Sequence, residues 1–288
     1  MQLDGRRTSS NVEDRRSMSG GTVAGIGLGG MALIAIISLL LGGNPSDVLQ
    51  KMEQAGVTTT QTTQTNQQYS EADQELYNFA CQILASTEDV WSRVFAQYGK
   101  KYTPPTMVVY SGSVQTACGA ASSSVGPFYC SGDQCLYIDL DFFKTMKQSL
   151  GADGDFAYAY VIAHEVGHHV QNLLGTLNSA HQAMSRMNTA NSNAVSVRLE
   201  LQADFYAGIW GHYESKLYGS LEKGDIEEAL VAASKIGDDY LQKKSYGTTR
   251  PESYTHGTSA QREKWLRLGL STGDMSKGDT FSVSASQL

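Results

Sequence analysis

Phe156-Ala-Tyr-Ala-Tyr-Val-Ile-Ala-His-Glu-Val-Gly-His-His-Val170 is the stretch that decides how this chain is read. It is apolar and free of proline. Asp155 before it is a candidate N-cap and Gly175 after it a stop, so the pattern predicts a helix over residues 155–174. On that helix His164 and His168 lie one turn apart, about 40° round the axis, so both rings can reach one metal ion while Glu165 reaches the water it binds. Chance puts such a pattern in roughly one chain in a hundred of this length. A buried helix has little reason to carry two imidazoles and a carboxylate unless something pairs them, because an unpaired buried charge is costly. His169 points away from that face and reads as an ordinary surface or hydrogen-bonded histidine.

Two histidines do not complete a metal site. The metzincin pattern, with a third histidine shortly downstream, needs a glycine three and a histidine six positions after His168, where this chain has Gln171 and Leu174. The remaining common set for a catalytic zinc is two histidines and one glutamate, with a fourth position left for water or substrate. Glu200, within Val195-Ser-Val-Arg-Leu-Glu-Leu-Gln-Ala-Asp-Phe-Tyr-Ala-Gly-Ile-Trp210, is the candidate. Asp204 follows on the same helical face, placed to accept the Nδ1 proton of a ligating histidine and fix its tautomer. Ala203, Ala207 and Gly211 would let two helices approach closely enough to share a metal. The plain alternative pairs Glu200 with Arg198 at the surface. His181, His212, Glu214, Glu227 and Glu228 are weaker ligand candidates, since none has a companion carboxylate at that spacing on so apolar a helix.

Ile162-Ala-His-Glu-Val-Gly-His-His-Val-Gln171, Glu200-Leu-Gln-Ala-Asp204, Ser253-Tyr-Thr-His-Gly-Thr-Ser259 and Gly126-Pro-Phe-Tyr-Cys130 together resemble the bacterial neutral zinc metallopeptidase family of the YpfJ type. The opening Gly5-Arg-Arg and Asn11-Val-Glu-Asp-Arg-Arg16, followed by an apolar span, are similar to that family's N-terminus. The resemblance covers nearly the whole chain outside residues 44–69. It implies a membrane-anchored, zincin-like domain with zinc ligands matching His164, His168 and Glu200, and a catalytic glutamate matching Glu165. It also makes Cys118–Cys130 the first disulfide pair to test. Where the family often has cysteine after Gln-Ala-Asp, this chain has Phe205, which puts disulfides using that position in doubt.

The rest of the chain fits an enzyme held outside the cytoplasm. Residues 1–20 are polar and contain Arg6, Arg7, Arg15 and Arg16; residues 21–43 carry no charge and are long enough to span about 30 Å of hydrocarbon. The absence of a small-residue cleavage site predicts a retained signal anchor, with a cytoplasmic N-terminal segment and the bulk of the chain outside the inner membrane. Gly21, Gly25 and Gly29 offer only a weak helix-dimer signal. A polar linker at 44–69 then leads to a single domain at 70–288. All four cysteines fall after the anchor, which suggests disulfides with three possible connectivities. With 22 Lys and Arg against 29 Asp and Glu, and no basic cluster, nucleic acid is excluded as a partner. No oligomeric state is legible.

Helices are predicted near 70–85, 87–99, 141–150, 155–174, 178–188, 192–214, 225–242 and 259–270. A strand is predicted at 107–110, and a hairpin at 128–130 and 135–140. The fold class is therefore α+β: a mainly helical, zincin-like body with a small sheet beside it. The hairpin edge could receive an extended peptide substrate, or could be covered and only structural. The chemistry expected is peptide hydrolysis by a zinc-activated water, with Glu165 as general base and His256 as the favoured oxyanion donor, Tyr254 and Tyr206 in reserve. A zinc-bearing membrane scaffold that hydrolyses nothing is the alternative.

Overall fold

The computed structural model describes residues 1–18 and 69–288. In chain order the elements are β1 (Val12–Asp14), α1 (Glu71–Gln97), β2 (Thr106–Tyr110), β3 (Ser113–Thr116), β4 (Gly119–Ser122), β5 (Phe128–Cys130), β6 (Cys135–Asp139), α2 (Asp141–Thr145), α3 (Asp155–Leu174), α4 (Thr176–Met184), α5 (Thr189–Tyr218), α6 (Asp225–Lys235), α7 (Asp238–Tyr246) and α8 (Ser259–Thr272). A helical body beside small sheets is the α+β arrangement anticipated above.

Helix α3 occupies the predicted residues and stops at Gly175, which takes the left-handed conformation, φ 81°. Its start differs from expectation. Asp155 lies inside the helix, and the N-terminal donor of Phe156 is satisfied by Glu228 Oε2 of α6 at 3.2 Å. Gly154 makes this possible, because a Cβ there would collide with the Glu228 carboxylate. Two other boundaries shift for physical reasons. The helices expected at 70–85 and 87–99 are one, since Thr87 turns its hydroxyl to the Leu84 carbonyl (2.7 Å) and Ser86 bonds Glu214, leaving no polar break. The helix expected at 225–242 divides into α6 and α7 at Gly237, where a side chain would strike the backbone of Ser259 at the head of α8.

The main sheet runs β1-β2-β6-β5, with β1, β2 and β6 parallel and β5 antiparallel at the edge. Strand alternation sorts its side chains. Met107, Val109, Leu136 and Ile138 enter the main core against the helices, while Val108, Tyr110, Tyr137 and Cys130 face a smaller cluster covered by the β3–β4 hairpin. That hairpin and β1 are absent from the sequence reading. Helices α5 and α8 touch backbone to backbone: a Cβ at Gly208 would clash with Leu266, and one at Gly269 with Phe205.

Residues 1–18 pair and pack with this body. Val12, Glu13 and Asp14 pair in parallel with Met107, Val108 and Val109. Arg6 reaches the fully buried Glu214 at 2.8 Å, Ser9 and Asn11 bond Glu88, and the buried Arg16 pairs with Asp14 and stacks on the rings of Tyr69 and Tyr77. Arg6, Arg7 and Arg16, read from sequence as charges flanking a membrane anchor, are here fastenings between the N-terminal segment and the domain. The run 21–43 and nearly all of the 44–69 linker fall outside the described residues. Among the described residues no helix is long and apolar enough to cross a membrane.

Candidate metal centre

Helices α3 and α5 build the centre because nothing keeps them apart. Gly167, between the two histidines, faces Ala203, and a Cβ on it would lie 2.8 Å from the Ala203 carbonyl oxygen. Close contact brings Glu200, almost one turn earlier on α5, over the imidazoles. Glu200 Oε2 is 3.2 Å from His164 Nε2 and Glu200 Oε1 is 3.4 Å from His168 Nε2. Ligand atoms about 2.0–2.1 Å from a tetrahedral zinc are separated from one another by roughly 3.3 Å. The two nitrogen–oxygen distances are close to that value, and the ligand atoms of His164, His168 and Glu200 all lie within 4.8 Å of one another.

Each histidine is oriented from behind. His164 Nδ1 is 2.8 Å from Asp204 Oδ1, as the four-residue spacing from Glu200 implied. His168 Nδ1 is 2.9 Å from Gln171 Oε1, whose amide donates to the Leu199 carbonyl and to Gln202. Both rings thereby present Nε2 to the shared point. Asp204 is fully buried and heavily engaged: Tyr160 Oη donates to it at 2.6 Å, and Arg262 Nε and Nη2 at 2.8 and 2.9 Å. Sequence reasoning missed Gln171 and Arg262. Gln171 was readable, because it sits three residues after His168 on the same face. Arg262 carried a subtler signal. It opens the stripe of buried positions Arg262, Trp265, Leu266 and Gly269 on α8, a charge where the pattern calls for an apolar residue.

The electrostatics show a cluster that seeks positive charge at its centre. Burial works against charge on the His164 ring, yet Asp204 and then Glu200 outweigh it and raise the imidazole to about 10. Burial alone would raise Glu200, but His256, His168 and His164 hold it well below the usual carboxylate range. For Asp204, Arg262 and His164 overcome burial and bring the carboxyl down to about 2. Glu165 is treated differently. Burial pushes its carboxyl up, and among the described residues its side chain makes no ion pair or hydrogen bond, so it is left free to exchange a proton.

His256 lies in the turn before α8, close enough that Glu200 is the largest influence raising its ring and His256 the largest lowering Glu200. It is not among the converging ligand atoms. The reserve donor Tyr206 is excluded by position: it is buried in the core, edge-on to Trp91 at 5.6 Å. Tyr254 is buried at the turn preceding His256. Of the five weaker ligand candidates none joins the converging group, and Glu214, Glu228 and His212 serve the N-terminal segment, the start of α3 and the Leu270 carbonyl respectively. His169 is hydrogen-bonded rather than exposed, with Nε2–H donated to the Thr103 carbonyl at 2.7 Å and Nδ1 accepting from Tyr129 Oη at 2.9 Å; burial lowers its ring. This pins β5 against α3. The Cys118–Cys130 disulfide ties the end of β5 to the β3–β4 turn, as the resemblance implied, while Cys81 and Cys135 are free thiols.

Comparison with known proteins places this chain in a family. A family model described as "Putative neutral zinc metallopeptidase" matches residues 1–281. A protein of Escherichia coli strain K12 named "Uncharacterized protein YpfJ" is 47% identical over 291 residues, covering 99% of this chain and 100% of the relative. A Mycobacterium tuberculosis H37Rv protein is 44% identical over 216 residues, covering 70% of this chain and 71% of the relative. No solved structure matches.

Proposed function

We propose that this chain, which belongs to the neutral zinc metallopeptidase family, is a zinc-dependent endopeptidase with Glu165 as its general base. The observation that carries the reading is the convergence of His164 Nε2, His168 Nε2 and the Glu200 carboxylate, whose oxygens lie 3.2 and 3.4 Å from the two rings, beside a glutamate that no other group among the described residues engages. Two histidines and one glutamate leave a coordination position open, which distinguishes a catalytic set from a structural one. Zinc held there would supply a Lewis acid that lowers the pKa of water to about 7 and polarises a peptide carbonyl.

The protein's own groups do the rest. Glu165, its carboxyl held up by burial, takes the water's proton and later delivers it to the leaving amine. His256 donates to the oxygen on which charge develops. Arg262 and Tyr160 hold Asp204, Asp204 holds His164, and Gln171 holds His168, so neither imidazole has to reorganise. A substrate lane is supported by β5. It is the sheet's edge, its outer side pairs with no strand among the described residues, and Tyr129 anchors it to His169 and Asn172 of α3. An extended peptide adding to that edge would pass beside the helix that carries Glu165.

Membrane attachment through residues 21–43 and a location outside the cytoplasm form part of the same proposal. They are supported by the uncharged run and by a disulfide suited to an oxidising compartment. The test is degradation of a diverse peptide library by the zinc-loaded protein, with Glu165→Gln as control. Cleavage that requires zinc and disappears in the variant upholds the reading. Equal turnover by both proteins overturns it.

A further inference from the structure

Asp238 is a fully buried carboxylate that the chemistry above does not use, and its two oxygens are in very different situations. Oδ2 accepts three consecutive backbone donors, Thr255 N at 2.8 Å, His256 N at 2.7 Å and Gly257 N at 2.9 Å. The Asp238 backbone N–H returns a bond to the Gly257 carbonyl at 2.9 Å. The turn that carries His256 is therefore clamped to the start of α7 by four hydrogen bonds. Oδ1, in contrast, is buried and has no hydrogen-bond partner among the described residues, and it lies 3.5 Å from His256 Nδ1.

A buried acceptor left unpaired costs about 1–3 kcal/mol, so an orphan aimed at an imidazole nitrogen calls for a proton on that nitrogen. Thr255 Oγ1 competes for Nδ1 at 3.0 Å. If the hydroxyl donated to a bare Nδ1, Oδ1 would stay unpaired; if Nδ1 carries the proton, both oxygens are served and a small ring rotation closes the longer gap. We propose that Asp238 is a positioning residue for peptide hydrolysis, its Oδ2 fixing the 255–257 turn and its Oδ1 holding His256 by Nδ1–H, so that Nε2 is the ring edge given to the substrate. The proposal rests on the peptidase reading and adds to it a residue that does not touch the substrate. The charged groups bearing on the ring are Glu200 and Asp238, which favour its proton, and Arg262, which opposes it.

Two measurements decide it. Nitrogen-15 spectra of the His256 ring in the zinc-loaded Glu165→Gln protein should show Nδ1 protonated whether the ring is charged or neutral, and Asp238→Asn should abolish that preference. Peptide turnover by Asp238→Asn should show kcat down about ten- to a hundredfold with KM within about twofold, and no further loss when the same change is made in His256→Ala. A bare Nδ1 in the neutral ring overturns the proposal, as does an equal kcat loss in both backgrounds. Should Asp238→Asn fail to fold, the ring spectra without it still decide. Should no peptide be cleaved at all, the peptidase reading falls while those spectra judge Asp238 separately.

Discussion

Two clusters of buried carboxylates stabilise this molecule, and they are built on opposite principles. At the N-terminal segment, Glu214 is saturated: Arg6, Ser86 and Ser220 all donate to it, and Glu88 is likewise met by Arg7, Ser9 and Asn11. At the metal centre, Asp204 is just as saturated, but Glu200 and Glu165 are not. Among the described residues Glu200 meets only imidazole nitrogens that would share a cation with it, and Glu165 has no ion pair or hydrogen bond. Burial of acid therefore does not mark function by itself. What marks it is a buried acid whose partners are still to come.

The sharpest test of that contrast removes one charge from each cluster. Glu165→Gln should lower peptide turnover by about 10²–10⁴-fold while zinc content and melting midpoint stay unchanged. A variant that loses stability instead would place Glu165 with the structural acids. Arg6→Ala should do the reverse, leaving Glu214 buried without its cation at a cost of about 3–5 kcal/mol, read by denaturant unfolding, with zinc affinity retained in the folded fraction. Stability within about 0.5 kcal/mol of the parent would mean that residues 1–18 are not fastened as described.

Smaller effects probe how the centre is held. Asp204→Asn should weaken zinc binding about 10- to 100-fold, measured by competition with a chelating dye; undiminished affinity would show that His164 needs no orienting partner. Gly167→Ala should cost about 1–3 kcal/mol, because the added methyl must push α3 away from Ala203. The least effect is on protons. The His164 ring is raised from 6.5 to about 10, so its proton stabilises the metal-free fold fully below about pH 6.5, and that contribution is lost as pH rises through about 10. Zinc needs the bare nitrogen, so binding at pH 7 should release this proton and affinity should climb with pH. Calorimetry in buffers of different ionisation enthalpy would detect the release, and a buffer-independent heat would refute it.

Legibility in the sequence divides along the same line. The ligand helix, its glycine stop, Glu200 and Asp204 were all readable, because helical periodicity fixes which residues share a face over a few turns. The disulfide came from resemblance. Arg262, Asp238 and β1 were not read, since their partners lie 58, 18 and more than 90 positions away and no local period links them. Val12-Glu-Asp14 is short and mostly polar, so nothing in it announces a strand until β2 provides a neighbour. The small residues show the limit of a correct pattern. Ala203 does admit the ligand helix, but Gly208, which lies off the face named from sequence, is what seats α8.

The Arg16 guanidinium lies 3.9 Å over the ring of Tyr69 and 4.2 Å over that of Tyr77. The points where the chain departs after residue 18 and comes back at residue 69 thus share one doorway. A protease that nicked the backbone anywhere from 19 to 68 would leave a clipped peptide still gripped by the enzyme, a two-piece protein held together without a covalent thread.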